Sequence, residues 1–217
     1  MTSHTYMQKI IFGAICLGAL FSLTLLAQSN NNAPALATVG QPAPDFTLQG
    51  GDGKSHSLAD YSGKYVVLEW TNPRCPFVHK FYDSGTMQKL QKEETAKGVI
   101  WLRINSGAKD QEGYQSPADL AAYEKAHHVA STESLLDPDG KVGHMYGART
   151  TPHMFVINPK GVLIYAGGID NTPSTDPATI ATATNYVTTA LDEAMAGKPV
   201  TTPTAQPYGC SVKYASN

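Results

Sequence analysis

From residue 38 onward, apolar residues come in short runs broken by turn residues, and the period of the pattern changes along the chain. Phe46-Thr47-Leu48 reads as a short strand ending in the turn Gly50-Gly51-Asp52-Gly53, and Ser57 to Tyr61 as a single helical turn. YVVLEW, residues 65–70, is a β-branched and aromatic run and predicts a strand. A helix follows Cys75, because Pro76 suits a first helical turn where the missing N–H is not needed. It runs through FVHKFY, breaks at Ser84-Gly85, and continues through TMQKLQKEETAK until Gly98 stops it. VIWLRI, residues 99–104, predicts a buried strand, residues 117–128 a helix, residues 134–137 an extended piece and residues 142–147 a short helix. HMFVIN and VLIYAG flank Pro159-Lys160-Gly161 as a hairpin. Residues 176–197 form one last helix, with Ile180, Ala183, Val187, Ala190, Leu191 and Ala194 at helical spacing. The order strand, helix, strand, helix, hairpin, helix predicts an α/β fold with a central mixed β-sheet flanked by helices.

The first 37 residues break that pattern. Lys9 precedes an uncharged apolar run, residues 10–27, then QSNNN, then Ala35 and Ala37 as a small-x-small pair. This predicts a cleaved signal peptide (1–37), a mature domain (38–198) and a proline- and threonine-rich tail (199–217), in a periplasmic or secreted protein. The run is near the lower length for crossing a bilayer, so a retained N-terminal anchor is the alternative. Lipidation at Cys16 is disfavoured, since Ile15 precedes it. Hydrophobic residues make up 41% and charged residues 16%, with net charge −2, which gives no electrostatic case for nucleic acid or an anionic membrane surface. Any membrane contact would pass through an uncleaved N-terminal segment.

Export changes the cysteine arithmetic. The chain has 3 cysteines, and cleavage removes Cys16, leaving Cys75 and Cys210. Two cysteines in an oxidising compartment invite a disulfide, either catalytic or a structural clamp on the tail. Cys75 has the stronger position. It lies between a strand and a proline-started helix, where unpaired N–H groups and neighbouring Arg74 would favour the thiolate that attacks disulfides. A Cys-x-x-Cys motif would place its second cysteine at 78, which is Val78. Cys210 is therefore the candidate resolving cysteine. His79, one helical turn beyond Cys75, and His153 could join the two thiols around copper or zinc, but no closely spaced ligand pair supports that. No cofactor or metal is expected.

Four segments in order resemble the AhpC/TSA redoxins, the thioredoxin-fold family of peroxiredoxin-like and thiol-disulfide exchange proteins. They are QPAPDFTL followed by SLADYSGKYVVLEW, then NPRCPFV, TTPHMFVINPKGVLIYAGGIDN and YGCSVKY. The resemblance implies a thioredoxin-like fold and thiol-disulfide exchange through Cys75, with protein thiols, protein disulfides or a thiol reductant as partner. It implies a cis Pro152, with the backbone of Thr151 offered to an extended substrate peptide, and Pro76 and Trp70 as substrate-contacting walls. Glu69 matches a buried acid that serves as proton acceptor in thioredoxin; a surface glutamate on an edge strand is the other reading. Relatives often carry a further cysteine where this chain has Thr150. The family's peroxidase signature has Thr or Ser three residues before the cysteine and proline seven before, where this chain has Asn72 and Leu68, so peroxidase chemistry is the second reading. A non-catalytic binding or metal-handling module is the third. Arg103 reads as a charge at a strand end, and Asp170 as a family position of open role near the active-site edge.

Overall fold

Turn chemistry and alternation produce the observed elements nearly in the expected order. The computed structural model describes residues 36–216, together with the first two. The signal-peptide or anchor segment and Cys16 lie outside the described residues. After β1 (Thr47–Gly50) and β2 (Ser55–Ser57), a 3-10 turn spans Leu58–Tyr61. Ser57 and Asp60 close that turn reciprocally as a capping box. β3 (Val66–Trp70) leads to α1 (Pro76–Asp83) and α2 (Thr86–Ala96). β4 (Ile100–Asn105), α3 (Pro117–Ala126), β5 (Glu133–Leu136) and α4 (Lys141–Tyr146) follow. The chain then forms β6 (Thr150–Thr151), β7 (His153–Ile157), β8 (Leu163–Gly167), α5 (Tyr186–Met195) and β9 (Cys210–Ser211).

Seven strands form one sheet in the order β2-β1-β5-β4-β3-β7-β8. The β3/β4 and β4/β5 pairs are parallel, while β1/β5, β3/β7 and β7/β8 are antiparallel. The crossover helices impose the parallel pairs, and the tight hairpin imposes the antiparallel β7/β8 pair. All five residues of β3 are buried, since helices cover both faces. Val67 faces α1, α2 and α5, with Val78, Phe81, Leu90 and Leu191. Val66, Leu68 and Trp70 face the other layer, with Leu135, Val142, Tyr146 and Phe155. Among the described residues, no helix is long and apolar enough to cross a membrane.

The single final helix expected from residue 176 is two elements. A 3-10 turn covers Pro177–Thr182, Ala183 is extended at φ −75°, ψ 144°, and α5 starts afresh after Asn185. Asn185 Oδ1 accepts the Thr188 N–H (3.0 Å), and Asn185 bridges to Asp170 in the extended conformation. Asn and Thr near a boundary bond to local backbone and outcompete helix continuation.

Candidate active site

Cys75 owes its place to a turn built by Asn72. The Asn72 carbonyl accepts the Cys75 N–H (3.1 Å) and its Oδ1 accepts the Arg74 N–H (2.8 Å). Cys75 is then the extended residue capping α1, with Pro76 at the first helical position. Its carbonyl accepts N–H groups from Val78 and His79, both at 2.9 Å. The side chain is only 1% exposed, and Sγ donates to the Thr151 carbonyl at 3.1 Å. Arg74 is turned to solvent, with Nε 3.8 Å from Glu112, so its charge is not aimed at the thiol.

The tail supplies the second thiol. β9 pairs antiparallel with β6, placing Cys210 opposite Thr151, so both cysteines converge on one residue. Both are free thiols in this structure, and Cys210 is half-buried. Burial first, and the Cys75 thiol beside it second, push the Cys210 pKa up to about 11. Side chains on both ends of β9 hold the strand. The Tyr208 hydroxyl donates to Asp170 Oδ1 and its ring meets Phe77 of α1 edge-on at 5.8 Å. Asp170 in turn faces Lys80, whose buried Nζ lies 3.7 Å away and donates to the Thr172 carbonyl. Beyond β9, Tyr214 donates to the Ala148 carbonyl (2.7 Å) and stacks on His144. Gly209 makes the approach feasible. It has φ +130°, and a Cβ there would overlap the Thr151 carbonyl oxygen. Gly209→Ala is expected to detach β9 and cost more than about 1 kcal/mol, seen as a lower urea midpoint. An unchanged midpoint would contradict the observed packing.

Several expected site residues sit elsewhere or do something else. The Thr151–Pro152 bond is cis, as the resemblance implies, but both residues are buried. β9 already occupies the Thr151 backbone, so in this state that edge is not open to an extended peptide. Trp70 is no substrate wall. It is 0% exposed on the sheet face away from α1, donates from Nε1 to Ser106 Oγ (2.9 Å) and packs on Tyr146 and Phe155. Of the expected walls, Pro76 is exposed beside Cys75. Glu69 is buried rather than on an edge strand. Its carboxylate accepts from Tyr82 (2.8 Å), Trp101 (2.8 Å) and Gln91 (3.2 Å) and lies 4.0 Å from Arg103 Nε. Burial raises its pKa, which Arg103 and the three donors partly offset. Neither thiol is among its partners, so the proton-acceptor reading gains no support from the geometry. Arg103 lies in mid-strand, 1% exposed, not at a strand end.

The histidines do not converge on the thiols. His79 turns to Asp83 (3.2 Å). His153 is on the opposite sheet face, stacked towards Phe155, with Nδ1 accepting the Arg149 N–H (3.3 Å). Burial first and the Arg149 charge second lower its pKa from 6.5 to about 3. Its folded pKa lies below its unfolded one, so acid favours the unfolded chain, and stability is lost as pH falls from 6.5 towards 3. Between pH 7 and pH 5 this should amount to about 2 kcal/mol, and His153→Gln should flatten that part of the urea-midpoint profile.

Tyr208, Gly209 and Lys80 were missed as site residues. Tyr208 and Gly209 directly precede Cys210, which was a usable signal; nothing local marks Lys80, about one turn into an amphipathic helix.

The sequence model of the AhpC/TSA family matches residues 39–166. The chain belongs to the AhpC/TSA family. It is a redoxin, an oxidoreductase of thioredoxin-like fold. It is 30% identical over 125 residues to the thioredoxin-like protein YneN of Bacillus subtilis, covering 57% of this chain and 68% of that protein. It is 28% identical over 177 residues to the thiol:disulfide interchange protein DsbE of Tatumella citrea, covering 73% and 84%. Among solved structures, an uncharacterized conserved protein from Geobacillus kaustophilus superposes with TM-score 0.72 at 26% identity, covering 84% of this redoxin and 95% of that chain. The thioredoxin domain of a thiol-disulfide oxidoreductase from Bacteroides vulgatus superposes with TM-score 0.50 at 20% identity, covering 67% and 96%, and bears on the fold alone.

Proposed function

We propose that this redoxin is an exported thiol-disulfide oxidoreductase whose working pair is Cys75 and Cys210. The observation that carries the reading is their convergence on Thr151: Cys75 through the bond from its Sγ, Cys210 through strand pairing. A pair held side by side can pass between dithiol and disulfide with little backbone movement, and the second cysteine takes over the role that Val78 cannot fill. The names of the relatives, a thiol:disulfide interchange protein among them, support exchange as the reaction. Partners are then protein thiols, protein disulfides or a small thiol reductant, and the exchange itself needs no cofactor. The apolar run at 10–27 and the Ala35/Ala37 pair support export. Peroxide reduction is less favoured. Asn72 stands where a hydroxyl residue is expected, and its side chain is committed to the turn through Arg74 and the Glu112 carbonyl.

The test is equilibration in graded glutathione buffers, alkylation of free thiols and mass spectrometry of both cysteine peptides. A reversible 75–210 bond, with a midpoint in the range of exchange proteins at roughly −120 to −270 mV, is the expected result. A bond that resists reduced glutathione would make it a structural clamp. Two free thiols in oxidised glutathione would overturn the pairing.

A further inference from the structure

The two thiols have unequal access to solvent. Cys75 is 1% exposed and packs within the cluster of Val78, Phe81 and Met154. Its Sγ is bonded to the Thr151 carbonyl, and β9 pairs with that same residue. Cys210 is half-buried and is followed by exposed Ser211, at the surface of the same strand pair. In disulfide exchange the attacking thiolate must approach one sulfur with the other leaving on the far side, so access decides which sulfur is attacked. Cys210 is the more exposed of the two and packs at the margin of the cluster that encloses Cys75. To attack Cys75, an external thiol would have to displace β9 or push in past exposed Pro76 to a residue only 1% exposed.

We infer, on the premise of the exchange chemistry proposed above, that the external partner engages the protein at Cys210, and that Cys75 is the internal partner. This reverses the roles expected from the sequence, where Cys75 met the partner and Cys210 resolved. The steps balance as follows. The partner's thiolate attacks Cys210 Sγ. The 75–210 bond breaks with its electron pair on Cys75, and a mixed disulfide forms on Cys210. A second thiolate of the partner attacks the partner sulfur of that mixed disulfide. The partner leaves oxidised to a disulfide, and Cys210 keeps the electron pair and takes a proton. Two partner thiols have been oxidised and one protein disulfide reduced. The reverse sequence reduces a partner disulfide, again through Cys210.

The occupied Thr151 edge adds a consequence. A partner working at Cys210 need not add as a strand on β6, so a small thiol such as glutathione can serve as the probe. The experiment starts from wild-type protein oxidised with oxidised glutathione and freed of excess. Limiting reduced glutathione is added, the mixture is acid-quenched within seconds, and glutathione adducts are mapped by peptide mass spectrometry. The adduct on Cys210 is expected to exceed that on Cys75 by at least ~10-fold. A smaller ratio overturns the inference while leaving the reversible pair standing. If no 75–210 disulfide forms at all, both readings fall together. Gly209→Ala gives a second check, because it lifts the strand that covers Cys75. There the Cys75 share should rise by at least about fivefold. An unchanged share would show that β9 is not the shield, and would overturn the inference as well.

Discussion

Cys75→Ser is expected to abolish thiol-disulfide exchange, lowering the turnover of a glutathionylated peptide by on the order of 10³-fold or more. The hydroxyl cannot enter a disulfide, so whichever cysteine meets the partner, the internal step has no second sulfur. The same variant should fold normally. Serine is slightly smaller than cysteine, and its hydroxyl can still donate to the Thr151 carbonyl that now accepts from Sγ. A stability change within about 1 kcal/mol is expected by urea unfolding, so lost activity cannot be blamed on lost structure. Cys210→Ser should stop turnover too, while leaving the Cys75 environment in place. A Cys75→Ser protein that keeps more than a tenth of wild-type exchange would remove Cys75 from the mechanism.

Glu69→Ala should produce the largest loss of stability in the sheet, roughly 3–5 kcal/mol. The reason is what it leaves behind. Arg103 is 1% exposed, and its Nε and Nη2 already have no hydrogen-bond partner. Its remaining contacts are Ser134 Oγ (3.0 Å) and the faces of Tyr82 and Tyr123. Without the carboxylate, a buried guanidinium loses its counter-charge, and Tyr82, Trp101 and Gln91 lose their acceptor together. Removing one partner of a buried ion pair costs far more than the pair is worth. The double variant Glu69→Ala/Arg103→Met should recover a large part of the loss, because the stranded charge goes with it. Urea midpoints of the wild type, the two single variants and the double variant test this directly. A Glu69→Ala loss under about 1 kcal/mol would show that the cluster is solvated.

The glutamate illustrates how far sequence reading reached. Its position six residues before Cys75 marked it, but a lone acid in a strand reads equally as an edge residue or a buried one. The difference lies in Tyr82, Gln91, Trp101 and Arg103, which come from α1, α2 and β4 and meet only once the layers have packed. Trp70 shows the same limit. Two positions along a strand share a face, but which face looks towards α1 is set by the crossover, and Trp70 went to the other side. The final helix failed for a local reason: apolar spacing continued through Ala183, while Asn185 began a new helix there.

What the sequence determined by itself was the class of fold, the strand–turn–helix setting of Cys75, and the missing partner at Val78. Those are written in short-range pattern: β-branched runs, a proline at a helix start, glycines and asparagines at turns. The tertiary structure alone decided that Cys210 comes to rest opposite Thr151, that β9 covers the cis-proline edge, and that Cys75 is the enclosed thiol and Cys210 the accessible one. Contacts between residues far apart in the chain depend on the docking of whole elements. Tyr208 on Asp170, Gly209 against Thr151 and Tyr214 on His144 fix the tail, and no local periodicity encodes where a tail will land.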